Sequence, residues 1–284
     1  MKIAAVVILY YPGKDVVANI QSYYPFVEKI FVFDNTETQS DLKDKILSMG
    51  KIELFHDHRN EGIARRLNEA VKMAVGQKFD WLLTMDQDTC FSNKTIEAYL
   101  NCVSTFKQKE KVAMFGTSYS HRKQQLTPGC SFTQGENLIT SGMLLNLSLA
   151  TKIGSFDENL FIDSVDHDYV IRAKLSGYNV IKFTNIYLLH ALGLQVHRAS
   201  LKTLFVLKKK KLVHSPLRCY YMYRNMLYLC NKFKSNQSVA VALRKMVTGN
   251  LLVNIFYGRN AWQTLRYLVK AKSDFKQNRM GKIN

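Results

Sequence analysis

Short apolar stretches, each closing on polar residues and each followed by a helical pattern, fill the first half of the chain. Ile3–Leu9, Lys29–Phe33, Ile52–His56, Trp81–Met85 and Val112–Tyr119 read as strands. Asp15–Tyr24, Asp41–Met49, Glu61–Val75 and Asn93–Lys107 read as the helices between them. Strands of about five residues separated by helices of about ten to fifteen predict βαβ units and a mostly parallel sheet. Such sheets bind ligands beyond the carboxyl ends of their strands. The candidates are therefore the residues that follow each strand: Tyr10-Tyr11, Asp34-Asn35, His56 to Asn60, and Asp86-Gln87-Asp88. All four clusters should converge on one edge.

A composition of 47% hydrophobic and 22% charged residues, with only 4 Pro and 14 Gly, excludes a disordered or collagen-like chain. The five cysteines are odd in number and form no CxxC pair, which argues against a zinc ribbon or disulfide framework and for a reducing cytosol. Met1–Tyr10 resembles a signal sequence only superficially, because Tyr11-Pro12-Gly13 follows without a small-residue cleavage site. The longest uncharged runs, Met246–Gly258 and Phe183–His197, fall short of the ~18–20 residues of a membrane span, so none is expected.

Charge divides the chain. Of its 40 Lys+Arg and 22 Asp+Glu, residues 198–284 hold 19 basic residues and a single acid, Asp274, which accounts for the whole net charge of +18. A domain over residues 1–200 followed by a basic, aromatic helical extension over 201–284 is expected, and the extension should meet an anionic partner.

Three segments carry candidate chemistry. Asp86 and Asp88, one residue apart at a strand end, can share a hard divalent cation and the diphosphate it carries, although a solvated turn has the same spelling. Asp163, Asp166 and Asp168 surround the start of an expected helix, Val165–Leu175. One of them can cap that helix, and another could serve as a general base toward a hydroxyl. Asn60-Glu61-Gly62, with arginines nearby, opens a helix after the third strand, a setting that suits a diphosphate or simply an exposed basic helix.

The order of these segments is more specific than any of them. Asp34-Asn35, Asn60-x-Gly62-Ile63-Ala64-x-x-x-Asn68, Asp86-x-Asp88, Ser141-Gly142, Phe161-Ile162-Asp163 with Val165-Asp166, His190-Ala191-Leu192-Gly193 and Tyr220-Tyr221-Met222-Tyr223-Arg224-Asn225 together resemble family 2 glycosyltransferases. The likeness is to their bacterial rhamnosyltransferase-like branch, and it covers about residues 1–230. It implies a GT-A fold, a Rossmann-like α/β sheet flanked by helices, and transfer of a sugar from a nucleotide donor with inversion.

By that resemblance Tyr10, Asp34, Asn60, Gly62, Asp86 and Gln87 would bind the nucleotide sugar. Asp88 and His190 would hold Mg²⁺ or Mn²⁺, Asp166 would be the catalytic base, and Asp163, Asp168 and Arg224 would face the acceptor. Asp168 departs from the family's usual Glu by one methylene, which shortens its reach. The branch implies L-rhamnose from dTDP-rhamnose as donor, with UDP-galactose, UDP-glucose or N-acetylhexosamine as alternatives. It also implies a saccharide or lipid-diphosphate-linked acceptor of bacterial surface polysaccharide synthesis, at the cytoplasmic face of an anionic membrane.

Two other classes compete. A nucleic-acid binder would explain the charge and the interleaved aromatics, but the neutral first 197 residues bear acidic strand ends, and no helix-turn-helix, zinc-finger or RNP1 pattern is present, so no nucleic-acid partner is expected. A sugar nucleotidyltransferase should carry a Gly-rich basic signature after its first strand, and Tyr10-Tyr11-Pro12-Gly13-Lys14 matches that poorly.

Overall fold

The structure is a computed structural model that describes residues 1–38, 42–122, 124–135, 138–190, 195–199, 208–258 and 260–283, with backbone alone at 93, 190, 195–199 and 208–211. It forms two compact units, Met1–Glu158 with Val165–Ala191, and Asn159–Ser164 with Leu192–Asn284.

The first unit is built on the alternation seen in the sequence. β1 (Ile3–Leu9) pairs in parallel with β2 (Lys29–Asp34) on one side and β4 (Trp81–Asp86) on the other, and β2 pairs in parallel with β3 (Ile52–His56). Crossovers run through α1 (Val16–Gln21), α2 (Lys43–Leu47) and α3 (Gly62–Gly76). β1 is apolar almost throughout because both faces are covered, as expected of a central parallel strand.

Beyond β4 the sheet becomes mixed. β5 (Thr89–Cys90) and α4 (Asn93–Thr105) precede β6 (Val112–Ser120) and β7 (Phe132–Gln134). Then follow β8 (Met143–Asn146), α5 (Leu147–Ile153), α6 (Val165–Leu175) and β9 (Asn179–His190). The strand order is β3-β2-β1-β4-β8-β6-β9-β5, with β7 also on β9, and β8 runs antiparallel to both its neighbours. Local pattern left Thr140–Leu145 unassigned, since four apolar residues suit a strand of either direction. The core gathers apolar side chains of β1, β2, β4, β6, β8 and β9, with Tyr23 and Tyr99 fully enclosed.

The cysteine expectation is corrected here. Cys102 on α4 and Cys130 ahead of β7 form a disulfide with Cα atoms 5.6 Å apart, while Cys219 and Cys230 are buried free thiols. The two partners are 28 residues apart in sequence, so no spacing motif announces the pair.

In the second unit, β10 (Gln195–Ala199) and β11 (Lys208–Leu212) form an antiparallel pair, so the Lys208–Lys211 run is a strand rather than part of a helix. α7 (Pro216–Lys232), α8 (Gln237–Tyr257) and α9 (Ala261–Lys276) pack on one another. The break between the last two falls at Gly258, where a Cβ would collide with the Asn254 carbonyl. Because α8 begins at Gln237, it reaches 21 residues and is long and apolar enough to cross a membrane, which the shorter uncharged run concealed.

Candidate active site

Parallel pairing of β1, β2, β3 and β4 brings their carboxyl ends to one edge. At the β1–β4 seam the Gln87 side chain spans the gap. Its Oε1 accepts from the Tyr10 backbone N–H at 2.8 Å, and its Nε2 donates to the Tyr10 carbonyl at 3.1 Å. The Gln87 carbonyl accepts from Asn19 Nδ2 at 2.9 Å, tying the turn to α1. Tyr10 and Tyr11 are exposed and meet edge to face, with centroids 4.7 Å apart.

Beside them, β2 ends in a buried polar cluster. Asp34 Oδ1 accepts from the Thr36 N–H at 2.9 Å, and Thr36 Oγ1 accepts from the Tyr11 N–H at 2.9 Å. The Thr36 carbonyl lies 2.8 Å from His56 Nε2 at the end of β3. Asn35 donates to the Gly62 carbonyl at 3.2 Å and accepts from Arg66 Nε at 2.8 Å. The buried Arg66 guanidinium also engages Asp57 at 2.5 Å and Glu69 at 2.9 Å. Burial alone would raise the Asp57 carboxyl, but Arg66 outweighs it and holds that carboxyl below its ordinary range. Asn60 Oδ1 accepts from the Gly62 N–H at 3.1 Å, and Gly62 stands at φ +80, a conformation that favours glycine. Asn60 and Gly62 thus shape the start of α3. Asn68, farther along that helix, clamps Phe156 through its N–H at 2.7 Å and its carbonyl at 3.0 Å.

The Asp86–Asp88 turn is buttressed from the segment leading into β8 and from β5. The Asp86 N–H donates to Ser141 Oγ at 3.2 Å, Ser141 Oγ lies 2.6 Å from Thr89 Oγ1, and Thr89 donates to the Asp86 carbonyl at 2.9 Å. Gly142, at φ +74, packs where a Cβ would press on Thr117 and Leu188. The β5–β9 register sets the His190 backbone opposite Thr89, next to Asp88; the His190 side chain lies outside the described residues. Two carboxylates one residue apart offer hard oxygen donors that fit Mg²⁺ or Mn²⁺. Among the described residues no group of three His, Cys, Asp or Glu side chains gathers as a metal site. The remaining coordination positions suit diphosphate and water, as is usual for Mg²⁺.

Asp166 lies in the first turn of α6. Its Oδ1 accepts from the His167 N–H at 2.8 Å and lies 3.1 Å from His167 Nδ1. Burial alone would raise its carboxyl, but His167 holds it below the ordinary range, so it is ionised at neutral pH. Asp168 is different. It is fully buried and accepts from Arg172 Nε at 2.8 Å, while Arg172 donates to the Ile153 and Ser155 carbonyls. The expected acceptor contact of Asp168 is corrected accordingly: the carboxylate fastens α6 to the end of α5.

In the second unit Asp163 and Ser164 are consecutive non-glycine residues at φ +64 and +67. Asn225 Nδ2 donates to the Ile162 carbonyl at 2.8 Å and the Asp163 carbonyl at 2.9 Å, and Arg218 pairs with the Asp163 carboxylate at 2.9 Å. Arg224, expected on the acceptor side, is also corrected. Its side chain is fully buried, stacks on Tyr220 and Tyr221, and donates to the Gly281 carbonyl at 2.7 Å. Helical phase decides this, since one turn separates Arg224 from Tyr220 on the inward face of α7.

Sequence reasoning passed over Asn19, Thr36 and Thr89, took Arg66 only as one of the arginines near Asn60-Glu61-Gly62, and used Ser141 only as part of the resemblance. Thr36 and Thr89 signalled only as polar residues beside strand ends, whereas Asn19 and Arg66 lie inside α1 and α3.

Residues 14–129 match the family model described as Glycosyl transferase family 2. With the mixed sheet and its acidic carboxyl edge, this makes the chain a glycosyltransferase that carries a family 2 domain of the GT-A fold. It is 27% identical over 236 residues to the dTDP-rhamnosyl transferase RfbF of Shigella flexneri, a match over 77% of this chain and 75% of that protein. It is similar in fold to S. aureus TarS 1–349 in complex with UDP-GlcNAc, with TM-score 0.59 and 14% identity over 98% of this chain and 81% of that one. GalNAc-T7 with UDP, GalNAc and Mn²⁺ aligns at TM-score 0.54 and 11% identity, over 67% of this chain and 44% of that one.

Proposed function

We propose that the chain transfers a sugar, L-rhamnose from dTDP-rhamnose, from a nucleotide donor onto a saccharide hydroxyl with inversion. The observation that carries this reading is the Asp86–Asp88 turn at the carboxyl edge, locked to Ser141, Thr89 and, through Gln87, to Tyr10. Its position suits the diphosphate of a nucleotide sugar, with Asp34 and the exposed Tyr10 toward the nucleoside. The rhamnose donor is supported by the RfbF likeness.

Asp166 takes the proton of the acceptor hydroxyl as its oxygen forms a bond to the anomeric carbon. The bond from that carbon to the diphosphate breaks, and its electron pair leaves with the nucleotide. Asp86 and Asp88, with His190, would hold Mg²⁺ or Mn²⁺, which when bound offsets charge growing on the leaving diphosphate. The acceptor is a lipid-diphosphate-linked saccharide at the cytoplasmic membrane face, and the basic second unit supports this through attraction of about 1 kcal/mol per Lys or Arg close to anionic lipid.

Thermal shift with dTDP, UDP and GDP, each with and without Mn²⁺, tests the reading on the wild type and on Asp88→Ala. A ligand at 100 times its Kd stabilises by ~2.7 kcal/mol. Stabilisation by dTDP that needs Mn²⁺ and disappears in the variant is expected. A shift with UDP alone would replace the donor, and no shift with any nucleotide would overturn the reading.

A further inference from the structure

The second unit presents an apolar face that its own packing leaves uncovered. On α8, Leu243, Val247, Leu251 and Asn254 are buried, while Val241 and Phe256 are 62% and 69% exposed, with Leu252 between them at 49%. Spacings of eleven and four residues put those three on one side of the helix. On α9, Trp262 and Val269 are 68% and 72% exposed, with Leu265 at 40%, again on one side. Phe256 and Trp262 flank the connection at residues 258–260.

The charge around this face has one sign. Arg244, Lys245, Arg266, Lys270, Lys272 and Lys276 lie on the two helices. Their single acid, Asp274, is buried and paired with Lys270 and Arg279. Exposed aliphatic side chains have no use against a nucleic-acid backbone, whereas aromatic and aliphatic residues ringed by Lys and Arg suit the boundary between headgroups and acyl chains. Length alone would let α8 span a bilayer, but one side of it is buried in its own unit and the helix carries Arg244 and Lys245.

We propose that α8 and α9 dock flat on an anionic membrane, with Phe256, Trp262 and Val269 inserted into its interface and the surrounding Lys and Arg on lipid phosphates. The inference rests on the membrane reading above and assigns it to the exposed sides of α8 and α9.

Tryptophan emission tests it in the full chain, because Trp81 is buried and Trp262 exposed. Vesicles of phosphatidylcholine with phosphatidylglycerol should shift the emission to the blue, phosphatidylcholine alone should not, and Trp262→Phe should abolish the shift. Phe256→Ser with Val269→Ser should weaken vesicle partitioning by about tenfold or more, with nucleotide-induced thermal stabilisation unchanged. Co-sedimentation without a Trp262 shift would overturn insertion and leave an electrostatic membrane contact standing. Absence of co-sedimentation would overturn both membrane readings while leaving sugar transfer to be judged by nucleotide binding. A vesicle-free dimer that shields Trp262 would assign the face to a second copy of the chain and overturn the proposal.

Discussion

Gln87 and Tyr10 are joined by two hydrogen bonds, side-chain amide to backbone N–H and carbonyl, across the seam between β4 and β1. The amide imitates one rung of a sheet where the two strands have already ended. It holds the Tyr10 backbone against the turn that carries Asp86 and Asp88, so the nucleoside and diphosphate ends of the proposed site share one support.

Gln87→Glu should expose that dependence. A carboxylate keeps the acceptor but places an oxygen against the Tyr10 carbonyl in place of the donor. Loss of one hydrogen bond of about 1 kcal/mol predicts a donor KM raised roughly five- to tenfold with kcat little changed. Initial rates at varied donor concentration check this; a fall in kcat at unchanged KM would contradict it.

Asp166→Asn should lower kcat by ~10²–10⁴-fold without a change in melting temperature of more than a few degrees. Because His167 outweighs burial and holds the Asp166 carboxyl below its ordinary range, the base stays ionised in neutral and mildly acidic solution. The rate profile should therefore show no acid limb from this group between about pH 5 and 8. A limb near pH 6.5 that vanishes in His167→Gln would place control on the histidine.

Arg224→Met should act on stability rather than on acceptor affinity. The substitution removes donors to Tyr220 and the Gly281 carbonyl and two ring contacts. A cost of about 2–4 kcal/mol is expected, seen as a lower urea midpoint. An intact midpoint with a raised acceptor KM would restore the acceptor role.

The second unit should also weaken in acid. Burial would raise the Asp274 carboxyl, but Tyr220, Lys270 and Arg279 hold it below its ordinary range. A depressed folded-state pKa stabilises above the unfolded value of about 3.9 and loses that contribution as pH falls through and below it. The Tyr220 hydroxyl is pushed the other way, up to about 12, by burial and the same carboxylate. Melting curves from pH 6 to pH 3 should steepen downward below pH 4, and Asp274→Asn should flatten them while lowering stability at pH 6.

Much of the first unit was legible in order along the chain. β1 and β3 coincide with the expected Ile3–Leu9 and Ile52–His56, and α6 with Val165–Leu175, because polar or turn-forming residues bound each of them in the sequence. The short α1 and α2 were overextended at both ends, where polar residues suit a helix turn and a loop equally. β8 was missed because four apolar residues specify neither direction nor neighbours.

What the sequence by itself determined was the succession of elements and the chemistry of their ends: tyrosines after β1, acids and amides after β2 and β4, and a basic tail free of acids but for Asp274. Those are properties of neighbours along the chain, governed by hydrophobic period and charge. Only the tertiary structure decided which polar groups were consumed internally. Asp168 and Arg224 have the composition of site residues, yet Arg172 in one case and Tyr220 with the Gly281 carbonyl in the other satisfy them in the interior. Burying a charge requires a partner: Arg172 stands one helical turn from Asp168, but which faces of α6 and α7 turn inward, and the meeting of Arg224 with a carbonyl 57 positions away, are decided by packing.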